Sequence, residues 1–208
     1  MDRAQTPRRP VIIPYNGEPS RRWQYDLTRA YYTHLGYDVL TGCCDGWSKG
    51  CAVASVIGQA GERFAVCDAD LLVAPQLLTQ AFGSEAALTI PFSRVLNLDE
   101  RGDVQKIRQR FDWAGGCWVL DRRTYDAVGG IDPRFEGWGG EDESFCRAVK
   151  ILVGPVLLLE GDAWHLPHPP HPRKHTWKRT PSYRLYMRYR AATRREQMLK
   201  LIGERWQG

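Results

Sequence analysis

Apolar residues in the first half of the chain fall into short β-branched runs, separated by stretches in which they recur at helical spacing. Val11-Ile12-Ile13 is one such run, stopped by Pro14, and reads as a strand leading into a loop at Tyr15–Pro19. Ser20 is placed to cap a helix through about Leu35, with Trp23, Leu27, Ala30, Tyr31 and His34 or Leu35 along one face and Gly36 closing it. Tyr37–Leu40 is predicted as a second strand, Gly42–Gly46 as a turn and Lys49–Ala60 as a second helix. Phe64–Cys67 reads as a buried strand running straight into Asp68-Ala69-Asp70. Pro75–Phe82 is a short helix, Ala87–Pro91 another strand, and the polar residues 93–112 a mobile connection. A further helix starts at the acids of 141–143 and runs through Val149. Residues 166–181 are rich in Pro and His, and 182–206 read as one basic helix with Tyr183, Tyr186 and Tyr189 or Arg190 at near-helical spacing.

Strands alternating with helices predict an α/β fold with a central, mostly parallel sheet flanked by helices. In such sheets ligands bind off the carboxyl ends of the strands. Asp68, Asp70 and Asn16 all fall at such ends. The 208 residues suit one core, and the 43% apolar and 25% charged fractions are those of an ordinary globular protein. No stretch reaches the ~18–20 apolar residues of a membrane span, and the polar start MDRAQTPRRP carries no apolar leader. The expectation is a soluble, cytoplasmic protein of bacterial or viral type. None of the six cysteines forms a CxxC pair, which argues against a zinc ribbon and for reduced thiols. Residues 173–208 carry a net +9 while the whole chain is +5, leaving residues 1–172 at −4. The reading is therefore a main domain over 1–172 with a basic, helical extension over 173–208, whose charge suits solubility, nucleic acid, an anionic membrane or phosphates.

Three constellations carry chemistry. In an extended segment Asp68 and Asp70 share a face, so both carboxylates aim at one spot. Such a pair repels itself unless a cation sits with it, and a divalent ion shared with diphosphate oxygens is the usual solution for Mg²⁺ or Mn²⁺. The second is Phe135–Glu143, where three glycines surround Trp138 ahead of Glu141, Asp142 and Glu143. The glycines make a loop that lets backbone approach a ligand, the indole offers a flat face for a sugar ring, and the acids suit a helix N-terminus. The third is His165-Leu166-Pro167-His168-Pro169-Pro170-His171. In a polyproline conformation these histidines sit ~9 Å apart, too far for all to hold one ion. A single histidine completing the Asp70 site fits better, and a mixed Asp/His shell suits Mn²⁺ over Ca²⁺. Arg108, Arg110 and Asp112 read chiefly as surface charge.

The segment Trp138-Gly139-Gly140-Glu141-Asp142, together with Asp68-Ala69-Asp70, resembles the WGGED and DxD signatures of GT-A glycosyltransferases. The group includes β1,4-galactosyltransferases, the galactosyltransferase-like part of chondroitin polymerases and polypeptide GalNAc-transferases. The resemblance spans roughly residues 11–170. It implies a Rossmann-like GT-A fold and a metal-dependent hexosyltransferase acting on a nucleotide sugar, with a lean toward UDP. It implies donor contacts from Pro14, Tyr15, Asn16, Asp45, Lys49, Asp68 and Ala69, with Trp47-Ser48-Lys49 matching an aromatic-x-basic segment. Acceptor contacts would come from Trp138, Gly139, Gly140 and Glu141. Asp142 would be the general base; retaining GalNAc-transferases carry Asn there, so Asp implies inversion. The metal ligands would be Asp70, Asp68 and a histidine about two dozen residues past the acids. His165 lies 23 past Asp142 and His168 26, so His165 is favoured with His168 the alternative. Gly115-Gly116 and Gly129-Gly130-Ile131-Asp132 match further family stretches. The chain departs from the pattern in its short donor half between Gly42 and Phe64 and in lacking a preceding anchor. Two other readings stand beside the transferase. One is a catalytically silent nucleotide-sugar-binding protein; the other is a nucleic-acid-binding protein using Tyr183, Tyr186, Tyr189 and the neighbouring arginines. The acceptor is then a carbohydrate, a protein or a modified nucleic acid.

Overall fold

The computed structural model describes residues 9–109, 115–169 and 172–206. Arg110, Asp112 and His171 lie outside them. In chain order the elements are strand β1 (Pro10–Pro14), helix α1 (Arg22–His34), β2 (Asp38–Gly42), α2 (Lys49–Ala54), β3 (Arg63–Cys67), β4 (Leu71–Val73) and α3 (Pro75–Phe82). Then come β5 (Leu88–Ile90), β6 (Arg94–Leu98), β7 (Val104–Gln109), β8 (Cys117–Asp121), α4 (Arg122–Ala127), α5 (Glu141–Leu152), β9 (Val156–Leu158) and β10 (Asp162–His165). The chain closes with α6 (Pro181–Ala191) and α7 (Arg195–Gly203).

The main sheet has the order β2-β1-β3-β8-β5-β9. Its pairings are parallel except for the two that β8 makes, so β8 alone runs against its neighbours. The expected mostly parallel α/β sheet is present, and its central strands are apolar on both faces because helices cover both. Val11, Ile12, Phe64, Ala65, Val119 and Leu120 are fully buried. A second sheet, β4-β10-β6-β7, was not anticipated. Residues 93–112 read as a connection because they are polar. Instead, 94–109 form the β6–β7 hairpin, whose turn is held by the Asp99 carboxylate accepting from the Arg101 and Asp103 N–H groups at 2.8 and 2.9 Å. Such a turn needs charged residues, and β7 is largely exposed on both sides, so apolar alternation was never required of it.

Helix α1 docks through a face other than the predicted apolar one. Trp23 and Leu27 are exposed, whereas Gln24, Tyr25, Thr28 and Tyr32 are buried. The reason is hydrogen bonding. The Tyr32 hydroxyl donates to Leu71 O at 3.0 Å and accepts from Val73 N–H at 3.1 Å, and Tyr31 donates to Val73 O at 2.8 Å. Tyr25 pairs with Thr41, and Gln24 donates to Pro167 O. Tyrosines that bury their rings and satisfy their hydroxyls dock a helix as well as leucines do. Ser20 does not cap α1; its hydroxyl donates to Glu18, and a 3₁₀ turn precedes the helix. The predicted helix 49–60 is likewise shorter and ends in a 3₁₀ turn at Ile57–Gln59.

The basic tail is two helices, not one. The chain is extended at Ala192 and Arg194, and Gln197 accepts from the Arg194 N–H to start α7 afresh. Both helices pack on the main domain. Met198 is fully buried, and the buried Tyr189 donates to Asp132 at 2.8 Å. Arg205 donates to the carbonyls of Val128, Gly129 and Gly130 at 3.2, 2.8 and 3.0 Å and pairs with Asp132 at 3.2 Å. Removing one partner of such a buried pair strands the other. Arg205→Ala is expected to destabilise the fold by about 3 kcal/mol, measured as a fall in the urea midpoint. A loss within experimental scatter would show the tail to be a passive appendage.

Candidate active site

The β1 and β3 strands pair in step, Ile12 with Val66, which sets Pro14 beside Asp68 at the carboxyl edge of the sheet. Antiparallel β8 pairs Cys117 with Cys67, so its first residue and the preceding Gly115-Gly116 reach the same edge. Asp68-Ala69-Asp70 is not extended as expected. Its first residue accepts from the Leu71 N–H at 3.2 Å, making a turn between β3 and β4. The two carboxylates therefore separate into two centres instead of aiming at one spot.

Asp68 turns toward Lys49, whose ammonium stands 2.6 Å from Asp68 and 2.7 Å from Asp142. Lys49 is the first residue of α2, almost fully buried, with its Nζ 5.0 Å from the Trp118 ring centroid. Burial works against its charge, but the Asp142 and Asp68 carboxylates outweigh this and hold its pKa well above the usual lysine value. Burial raises Asp68 to about 6 despite the lysine. Glu141, at the start of α5, is pushed to about 8 by burial and by the neighbouring Asp142 charge. Asp142 also accepts from the Gly116 N–H at 3.3 Å. A Cβ on Gly115 would stand 2.5 Å from its Oδ2, so only glycine lets the carboxylate lie against this backbone.

The second centre is Asp70 with His165 and His168, whose donor atoms all lie within 4.8 Å of one another. His168 Nε2 is 3.2 Å and His165 Nε2 3.8 Å from the Asp70 carboxylate, which also pairs with Arg21. Spacing favours His165 alone; the structure brings both histidines to Asp70. His165 ends β10, the Leu166 N–H donates to Asp70 O at 2.8 Å, and this anchor bends the chain so that His168 folds back onto His165 at 5.0 Å between ring centroids. Burial would raise Asp70, but the hydrogen bond with His168 and the His165 and Arg21 charges bring it down to about 2. Burial lowers the pKa of His165, keeping an imidazole lone pair free. A carboxylate with two imidazoles is a donor set suited to a divalent transition ion.

The remaining expected donor residues are dispersed. Tyr15 is buried, stacked on Tyr25 at 4.2 Å, with its hydroxyl donating to Glu18 O. Pro14 is the last residue of β1, whereas Asn16 and Asp45 are exposed on loops at the same edge. The 47–50 segment is locked to the Gly loop, since Gly137 N–H donates to Trp47 O and Ser48 donates to Pro133 O, both at 2.9 Å. Trp138 is 43% exposed, and the Trp177 ring meets it edge-on at 5.9 Å. Tyr183 and Tyr186 continue this aromatic wall around Trp177. Gly139 adopts φ +101° directly beneath Trp177, where a Cβ would be 2.9 Å from Nε1. Sequence reading missed Trp177 and Arg21. The clue for Trp177 was an aromatic residue in an otherwise basic stretch, and for Arg21 the paired arginines just after the first loop.

Residues 105–155 match the family model described as the N-terminal domain of galactosyltransferase, a segment holding Gly115, the Trp138 loop and α5. Among solved structures, the catalytic domain of Drosophila β1,4-galactosyltransferase 7 in complex with xylobiose is similar with a TM-score of 0.51 at 13% identity, covering 73% of this chain and 64% of that one. The fold is GT-A. A mutant of the same Drosophila enzyme in complex with manganese, UDP-Gal and xylobiose gives 0.51 at 16% identity, with the same coverage of 73% and 64%. The chain thus spans a little under two thirds of the length of these GT-A structures. No curated protein sequence matches it significantly. Among the described residues, no helix is long and apolar enough to cross a membrane.

The Lys49 bridge carries a pH-dependent prediction. A carboxylate whose folded pKa exceeds its unfolded one takes up protons on folding, so its destabilisation is greatest at high pH and fades as pH falls through the folded value. Lys49→Met removes the cation and raises the Asp68 value further. The variant is expected to lose about 3 kcal/mol at pH 8 and to recover part of this as pH falls from its raised Asp68 value toward the wild-type value of about 6. Urea midpoints at the two pH values measure it; a deficit independent of pH would mean that the lysine matters for packing alone.

Proposed function

We propose that this protein is a metal-dependent glycosyltransferase that moves a sugar from a nucleotide sugar, UDP-linked by preference, to an acceptor hydroxyl with inversion. The observation that carries the reading is the placement of Asp142. It stands at the start of α5, fixed by Lys49 and the Gly116 N–H, between the Asp68 turn and the Trp138 wall. On this reading Asp70, His165 and His168 hold Mn²⁺ or Mg²⁺, and the ion would neutralise the leaving diphosphate. Asp68 and Lys49 face the donor, with Asn16 and Asp45 on the adjoining loops. Trp138, Gly139 and Gly140 border the acceptor, and Glu141 hydrogen-bonds its hydroxyls.

Asp142 then takes the proton from the attacking acceptor hydroxyl as the new glycosidic bond forms and the bond to the diphosphate breaks. Its partners suit that role. Lys49 holds the carboxylate in place, and the glycine-lined backbone fixes its direction. The aromatic wall orders the acceptor ring against this carboxylate, which is worth more to rate than added affinity would be. The tail supports the wall: Trp177, Tyr183 and Tyr186 belong to it, and its Arg205 and Tyr189 are engaged inside the domain. That favours an acceptor-side and structural role for the tail over a nucleic-acid interface.

The test is calorimetric titration with UDP, with and without Mn²⁺, alongside UDP release from a panel of UDP-sugars. Asp70→Ala is expected to abolish Mn²⁺-dependent UDP binding. Asp142→Asn is expected to keep that binding while lowering turnover by about 10³-fold. Full activity of Asp142→Asn would sink the general-base role, and UDP binding indifferent to metal would sink the metal role.

A further inference from the structure

A groove of about 980 Å³ opens between the start of α1, the Pro167–Pro169 strap and the tip of the β6–β7 hairpin. His168, one member of the Asp70 cluster, forms part of its wall. Its size matches sites that enclose small ligands. Two features mark it as more than a crease. Trp23 lines it with its indole 49% exposed, although α1 has a docked face that could have taken an aromatic ring. Gln24 lines it too and is only 1% exposed; its Nε2 donates to Pro167 O at 2.8 Å, while its Oε1 has no hydrogen-bond partner. The Gln24 amide thereby pins the Pro167 strap to α1 and fixes the inner wall of the groove.

The lining states the ligand's chemistry. Ser20, Glu100 and Arg101 add a hydroxyl, a carboxylate and a guanidinium around the flat indole. Asp99 and Glu100 outnumber Arg101 at the hairpin tip, which disfavours a phosphate-bearing ligand. A flat apolar face ringed by mixed donors and acceptors suits a ring with C–H faces and hydroxyl edges. We infer that this groove is a saccharide-binding subsite of two or three sugar units, distinct from the Trp138 face, in which Trp23 stacks on a ring and Ser20, Glu100 and Arg101 meet its hydroxyls. The choice of ligand class is strengthened by the glycosyltransferase reading, but the groove's chemistry stands without it.

The full chain, with ¹⁵N-labelled tryptophan indoles, is titrated with xylobiose, cellobiose and chitobiose to about 20 mM, above the Kd of weak sites in the millimolar range. The expected result is movement of the indole resonance that Trp23→Ala removes, with at least one disaccharide. Arg101→Ala, at the exposed hairpin tip, is expected to weaken that binding several-fold without touching the fold. Trp138→Phe is expected to leave it unchanged. No movement with any of the three sugars overturns the subsite. So does movement confined to Trp138, which would place sugar binding on the other face. Mn²⁺-dependent UDP binding, read on the same sample, separates failure of this groove from failure of the transferase reading.

Discussion

The site depends on one buried ammonium. Lys49 joins Asp68, 19 residues away, to Asp142, 93 residues away, and is itself almost out of contact with water. A buried charge is tolerable only when fully paired, so the two carboxylates and the lysine stand or fall together. This constraint fixes the start of α2, the turn after β3 and the start of α5 against each other. Two glycines allow close approach nearby: Gly115 lets Asp142 lie against its backbone, and Gly50 lets the start of α2 lie against Ile131–Pro133. The cluster is a polar keystone at the carboxyl edge of the sheet. Removing the lysine leaves two carboxylates facing each other at short range.

Much of this was legible in the sequence, because its signals were local. The strand before Asp68, the helix Pro75–Phe82 and the acids at the start of α5 all follow from short-range pattern and composition. The glycines around Trp138 announced a backbone that must come close to something, and Trp177 and Tyr186 are what it meets. What stayed hidden required contacts between distant residues. Helix α1 presents tyrosines and Gln24 to the sheet because β4 and the Pro167 strap offer hydrogen-bond partners, none of which a helical wheel can see. The β6–β7 hairpin is polar because it stands at the edge of the small sheet, where apolar alternation has little to bury. His165 and His168 converge because Leu166 is tied to Asp70, a tertiary contact that overrides the extended geometry of the prolines.

The tail shows how charge counts mislead. Its arginines gave the strongest compositional signal in the chain, yet several are tied to groups of the fold. Arg205 fills the carbonyl pocket of the Gly129-Gly130 turn, Arg188 pairs with Glu204 and Arg195 reaches the last turn of α5. A guanidinium is well suited to collecting carbonyls at a turn, because its donors fan out in one plane. The basic segment thus braces the aromatic wall over the Gly loop through Arg205 and Tyr189, while most of its other described basic residues stand exposed.

The reversed strand β8 has a consequence for how the chain comes off the ribosome. It is the link between β3 and β5, so the first three strands of the main sheet cannot be joined to the rest until residue 121 has emerged. Until then β3 lies at a sheet margin with Phe64-Ala65-Val66 unpaired on one side, an open and apolar edge of the kind that captures neighbouring chains. The strand that delivers Gly115 and Gly116 to the reactive edge therefore also closes the nascent sheet. A pause in synthesis before it emerges exposes an edge that the mature sheet covers.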